Sequence, residues 1–197
     1  MILNKFKYKL FGRFKGRKRN SEISSLNLQK YQINFENDII KQKYNILDIG
    51  SGSGENAIKL SSTRTNSKII TCELFEDGNI NLYNEIIKKN INNISLFQGN
   101  VLEFFDLIQK EKFFNEIWIL FPDPWPKIRH HKRRLLNENF LKKIHSYLKK
   151  DGKLMIASDS ATYLRSIFMN IYKVRDYFVW KNQHVNGWNY QYLDLPK

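Results

Sequence analysis

An α/β fold, with a mostly parallel central sheet flanked by helices, is what this sequence predicts. Three observations carry that prediction. Short apolar strands alternate with helical stretches of roughly 10–15 residues, the pattern of βαβ units. A glycine-rich turn, Gly50-Ser51-Gly52-Ser53-Gly54, joins the first strand to the first helix. Polar residues Asp48, Glu73, Asn100 and Asp123 stand at or near the ends of successive strands. At 197 residues the chain has the size of one domain with room for a buried core.

The elements follow in order from Tyr44. Ile46-Leu47-Asp48-Ile49 is a short buried strand stopped by Gly50, and Glu55 to Ser62 is the helix beyond the glycines. Lys68 to Cys72 is the second strand, rich in β-branched residues, and Gly78 to Lys89 the second helix. Ile94 to Phe97 is a third strand and Val101 to Gln109 a third helix. Ile117 to Phe121 is a fourth strand, ended by Pro122; Asn137 to Lys149 is a helix. Asp151-Gly152 makes a turn into a fifth strand, Lys153 to Ala157. A helix from Ala161 to Tyr172 and a sixth strand, Tyr177 to Trp180, close the series. Upstream, Ser24 to about Lys41 reads as a polar helical lead. Residues 1–20 carry eight Lys/Arg and no Asp/Glu, interleaved with Phe6, Tyr8, Phe11 and Phe14. We divide the chain into a basic arm, 1–23, and a domain, 24–197; the arm's aromatics point toward RNA.

The formal net charge of +14 predicts attraction to nucleic acid or to an anionic membrane. The longest apolar run, Ile117 to Phe121, falls far short of the ~20 residues needed to span a bilayer. The Lys-rich N-terminus lacks the apolar stretch of a secretory signal. The single cysteine, Cys72, rules out an internal disulfide and reads as a small buried hydrophobe in a reducing, cytoplasmic setting.

The glycine turn is spaced G-x-G-x-G, whereas the dinucleotide fingerprint has its third glycine one position later. Asp48, two residues before Gly50, suits a cationic ligand better than a pyrophosphate. Glu73 lies 23 residues after Gly50, where a carboxylate can accept from both hydroxyls of a ribose. Asn100 ends the third strand, within reach of an adenine edge. Each of these residues, taken singly, also fits an ordinary turn or cap.

The most informative stretch is Phe121-Pro122-Asp123-Pro124-Trp125-Pro126-Lys127 and its sequel Ile128-Arg129-His130-His131-Lys132-Arg133-Arg134. The prolines hold Asp123 in a loop at a strand end. Five Lys/Arg and two His follow within eight residues, 127–134. An acid beside a polyanion clamp suggests an enzyme acting on nucleic acid. Trp125 either stacks on a base or cofactor or anchors the loop. His130 and His131 are phosphate contacts or loop polar groups, since no zinc spacing accompanies them. Trp118, in mid-strand, is core.

On these residues the chain resembles S-adenosylmethionine-dependent methyltransferases. With the Pro-Asp-Pro-Trp loop and the Arg-His-His-Lys-Arg-Arg run, it resembles the bacterial tRNA (guanine-N7)-methyltransferases in particular. The resemblance implies a Rossmann-like class I methyltransferase fold and methyl transfer from S-adenosylmethionine to N7 of a variable-loop guanine in tRNA. It puts cofactor contacts at Asp48, Glu73, Asn100 and Asp123, with Gly50 and Gly52 in the turn. It makes Asp123 the active-site aspartate and assigns Lys127 and Asp159 to the substrate. Arg129 and Arg133 would grip tRNA phosphates, and no metal is expected. The sequence departs from the family twice. Asn100 stands where Asp is more usual, and the substrate motif T-x-[YF]-E is missing, because Asp194-Leu195-Pro196-Lys197 ends the chain where it would begin. The expectation is therefore a form lacking the final strand of the sheet, which binds cofactor and methylates poorly. The alternatives are a methyltransferase of another RNA and a non-catalytic RNA-binding protein. The latter has no need of Asp48, Glu73 and Asp123 in this arrangement.

Overall fold

The computed structural model describes residues 44–108 and 111–181, together with Tyr8. Strands β1 (Asn45–Ile49), β2 (Lys68–Glu73), β3 (Ile94–Gln98), β4 (Phe114–Leu120) and β5 (Leu148–Ala157) form one sheet in the order β3-β2-β1-β4-β5. Every pairing among them is parallel. The helices are α1 (Glu55–Thr63), α2 (Glu76–Lys88), α3 (Val101–Ile108), α4 (Glu138–Tyr147) and α5 (Ala161–Lys173), with a 3-10 helix at Ile128–Arg133. None of the described helices is long and apolar enough to cross a membrane.

Strand side chains alternate faces, so one short apolar run feeds two cores. Leu47, Ile70, Ile117 and Ile119 pack in one cluster with Phe104 and Phe105 of α3, Phe140 and Ile144 of α4, and Tyr163 of α5. Ile46, Ile69 and Trp118 pack in the other, with Ala57 and Leu60 of α1 and Leu82 and Ile86 of α2. Both faces of the sheet are thus covered, as a parallel sheet requires. Trp118 and Cys72 are buried core residues, as the sequence predicts.

Buried Glu116 on β4 is satisfied rather than stranded. It accepts from the Tyr44 hydroxyl at 2.6 Å and from Trp118 Nε1 at 2.9 Å, with the Arg64 guanidinium at 3.6 Å. Burial, then this bond, pushes the Tyr44 hydroxyl up to about 12. The network ties the residue before β1 to the amino-terminal edge of the sheet.

Three expectations need correction. Tyr177 to Trp180 is not a strand. Tyr177 N–H turns back to Val174 O at 2.9 Å, and the Tyr177 and Phe178 rings sit edge-on to His145 of α4, 5.1 and 5.6 Å between centroids. The backbone is committed to local bonds, Phe178 N–H to Arg175 O as well as Tyr177 N–H to Val174 O, instead of a ladder beside β5. Second, α4 stops at Tyr147, and Leu148 already pairs with Phe114; the next pair is Glu116 with Lys153. The extra residues form a bulge within the strand, with Asp151 at a left-handed φ of 62°, where the sequence predicts a turn at Asp151-Gly152. Third, the basic run is a 3-10 helix, not an open loop. The helical lead at 24–41, the arm apart from Tyr8, and residues 182–197 lie outside the described residues.

Candidate active site

Because the strands are parallel, their carboxyl ends share one edge. From β1 the sheet grows outward to β2 and β3 on one side and to β4 and β5 on the other. The crevice between β1 and β4 is the switch point at which open α/β sheets take ligands. The glycine turn leaves β1 there, and the Pro-Asp-Pro loop leaves β4 beside it.

Asp48 is the penultimate residue of β1 and is only 2% exposed. Burial pushes its carboxyl up to about 7; the Asn56 amide opposes this, and the Glu73 and Glu55 carboxylates add to it. The Asn56 amide faces Asp48 but falls outside hydrogen-bond geometry, so Asp48 Oδ2, Ser51 Oγ and Asn56 Nδ2 are buried without a hydrogen-bond partner among the described residues. Orphaned groups of this kind cost roughly 1–3 kcal/mol each, a cost that a bound ligand can offset.

The turn itself has a closed side and an open side. Gly50, Gly52 and Gly54 all have left-handed φ, at 71°, 56° and 85°. A Cβ on Gly54 would fall 2.4 Å from Leu82, and one on Gly78 of α2 would fall 2.4 Å from the Gly52 carbonyl. A Cβ on Gly50 or Gly52 would meet nothing within 4 Å. The turn is therefore pressed against α2 on one side and clear on the other, where backbone can approach a ligand.

Glu73 ends β2 and shapes the same turn. Its Oε2 accepts the Gly52 N–H at 2.9 Å and its Oε1 the Phe75 N–H at 2.8 Å. A carboxylate offers about four acceptor positions, so ribose hydroxyls remain compatible with both bonds. Asn100 follows β3 and does act as a cap: its Oδ1 accepts the Leu102 N–H at 2.8 Å. Its amide NH2 has no partner among the described residues and can still donate.

Asp123 is exposed in the loop after β4, and Asp159 is exposed after β5. Topology therefore brings Asp48, Gly50, Gly52, Glu73, Asn100, Asp123 and Asp159 to one edge of the sheet. Lys127 and Arg129 are exposed just beyond. Arg133 is placed differently from Arg129: it is half-buried, with its guanidinium 4.8 Å from the centre of the Trp125 ring, and His130 meets the same ring edge-on at 5.8 Å. Trp125 is therefore packed within the loop. Arg134 is buried, donates from Nε to Pro124 O at 2.8 Å and lies over Tyr163. Its role was not legible in the sequence, where it looks like one more cation; nor were those of Ser51 and Asn56, which carry no motif of their own.

A family model described as "Putative methyltransferase" matches residues 42–189. The chain belongs to this methyltransferase family. The match takes in both the glycine turn and the Pro-Asp-Pro loop. Curated proteins named tRNA (guanine-N(7)-)-methyltransferase are similar to it. One, from Leptospira interrogans, is 38% identical over 61% of this chain and 56% of its own length. Another, from Corynebacterium diphtheriae, is 36% identical over 60% of this chain and 46% of its own length. A third, from Corynebacterium jeikeium, is 32% identical over 77% of this chain and 58% of its own length. The chain spans about half the length of these curated relatives. Among solved structures, a Precorrin-6y C5,15-methyltransferase from Geobacter metallireducens superposes with TM-score 0.54 at 16% identity, over 75% of this chain and 66% of its own. An rRNA methylase from Streptococcus thermophilus gives 0.50 at 14% identity, over 70% and 74%. These likenesses establish the Rossmann-like class I methyltransferase fold.

Proposed function

We propose that this protein transfers a methyl group from S-adenosylmethionine to N7 of a guanine in the variable loop of tRNA. The observation that carries the proposal is the pairing, at one switch point, of a buried unpartnered acid with an exposed acid backed by cations. Asp48 with its orphaned neighbours Ser51 and Asn56 would take the cationic amino acid end of the cofactor, and the open side of Gly50-Ser51-Gly52 admits its backbone. Glu73 would hold the ribose and Asn100 the adenine edge. When bound, S-adenosylmethionine supplies a methyl group already activated by the sulfonium.

Guanine N7 bears an in-plane lone pair and no proton, so no general base is needed. The protein's share of the work is alignment, which is worth several kcal/mol. Asp123, fixed at the end of β4, would stabilise the charge that develops as the purine becomes cationic, or hold the base through its N–H donors. Asp159 and Lys127 stand on the same rim to orient the nucleotide. Extruding a base engaged in the tRNA core costs a few kcal/mol, which phosphate contacts by Arg129, Lys132 and the arm would offset. At Tyr8 the arm is docked on the domain, its hydroxyl donating to Asp106 of α3 at 2.7 Å. We assign residues 1–23 to RNA contact, 24–197 to the catalytic domain, and the protein to the cytoplasm. The names of the curated relatives support the substrate assignment.

The test is mass mapping of nucleosides after incubation with unmodified tRNA and methyl donor. The expected product is 7-methylguanosine in the variable loop; methylation at another base, or of no RNA, would overturn the proposal.

A further inference from the structure

The cations after the Pro-Asp-Pro loop fall into two sets. Arg129 and Lys132 are exposed, as a phosphate contact must be, but Arg134 is 6% exposed. Its Nε donates at 2.8 Å to Pro124 O, the carbonyl of the residue directly after Asp123. Its guanidinium lies 5.0 Å from the centre of the Tyr163 ring, and Tyr163 is fully buried on α5, its hydroxyl accepting the Leu136 N–H at 3.1 Å. Arg134 is thus fixed from below by the core before it reaches the loop.

The loop it reaches is strained. Phe121 and Trp125, two residues on either side of Asp123, have φ of 50° and 42°, in the left-handed region that bulky L residues avoid. Such conformations persist only where the surroundings over-determine them. Pro122, Pro124 and Pro126 have no N–H, so the loop can make few backbone bonds of its own. At its first end the Phe121 N–H is tied to Ala157 O of β5 at 2.8 Å. At its second end, Arg134 bonds the carbonyl before Trp125, and Arg133 covers the Trp125 ring.

We propose that Arg134 is a positioning residue. It holds the strained Pro-Asp-Pro loop through the Pro124 carbonyl and so fixes Asp123 at the switch point, taking no part in phosphate binding. The inference rests on the role given above to Asp123. It separates one arginine from a run that would otherwise be read as uniformly RNA-facing.

The experiment uses the full chain and two variants. Arg134→Met keeps the packing over Tyr163 and removes the donor; Arg134→Lys restores a donor and the charge. Amide exchange at Phe121 and His130, the hydrogen-bonded N–H groups on either side of the loop, tRNA methylation kinetics and the salt dependence of RNA affinity are measured for each. In Arg134→Met, exchange at these two amides should rise about tenfold while α4 is unchanged. Turnover should fall at least about 30-fold, as expected for a misplaced catalytic group, with KM for tRNA and the salt slope unchanged. Arg134→Lys should recover most of that loss. Wild-type turnover in Arg134→Met, or a salt slope reduced by one phosphate contact, would overturn the proposal. If the wild-type protein methylates no tRNA, the function proposed above fails, and the loop exchange alone decides: a rise sustains the brace and no change refutes it.

Discussion

Replacing Asp48 by Asn tests the cofactor site where its electrostatics are most unusual. Asp48 has a carboxyl pushed up from 3.8 to about 7, chiefly by burial. Its folded value lies above its unfolded value, so ionisation costs stability that is fully present below about pH 4 and lost as pH rises toward 7. At 1.36 kcal/mol per unit, the cost in the ligand-free protein reaches at most about 4 kcal/mol above pH 7. Asp48→Asn should therefore raise the melting temperature at pH 7.5 and change it little at pH 4. Binding runs the other way. Only the ionised carboxylate attracts a cationic ligand, and with a pKa near 7 the ionised fraction is ~0.09 at pH 6 and ~0.76 at pH 7.5. Calorimetric titration with S-adenosylmethionine should then show affinity about eightfold weaker at pH 6 than at pH 7.5. Asp48→Asn should bind weakly and without that pH dependence. An affinity in Asp48→Asn equal to that of the wild type would refute the assignment of Asp48 to the cationic end of the cofactor.

Other outcomes follow from the same geometry. Asp123→Ala should lower turnover roughly 10²–10³-fold with tRNA and cofactor saturating, as loss of a charge-stabilising group does, while leaving the melting temperature unchanged because the side chain is exposed; near-normal turnover would exclude an active-site role. Arg129→Ala with Lys132→Ala should flatten the slope of log K against log salt by about 1.5, at about 0.7–0.9 per phosphate contact, and leave cofactor affinity intact. An unchanged slope means these cations do not face RNA. Gly78→Ala should destabilise by about 1–3 kcal/mol in denaturant titration, although Ala usually favours a helix, because its Cβ would meet the Gly52 carbonyl at 2.4 Å. A gain in stability would mean that α2 is not pressed against the glycine turn as described.

Elements whose cause is local can be read from the residues alone. Strands β1 to β4 are legible because side chains alternate between two cores, so Ile46-Leu47 and Ile69-Ile70 must be apolar on both faces. The glycine turn is legible because left-handed φ at Gly50, Gly52 and Gly54 strongly favours glycine. Strand direction then carries Asp48, Glu73, Asn100 and Asp123 to one edge without further information. The fate of residues whose type suits two environments depends on packing between distant segments. Arg129 and Arg134 look alike in one basic run, yet the 3-10 helix turns one to solvent and the other beneath the loop, where Pro124 O and the Tyr163 ring await it. Tyr177 to Trp180 has the aromatic composition of a strand, yet its backbone bonds locally and Tyr177 and Phe178 meet His145 of α4. Asp48 is an ordinary acid in sequence, and its raised pKa exists because the fold buries it at the end of β1. Periodicity is written along the chain, but burial and long-range partners arise only when distant segments meet.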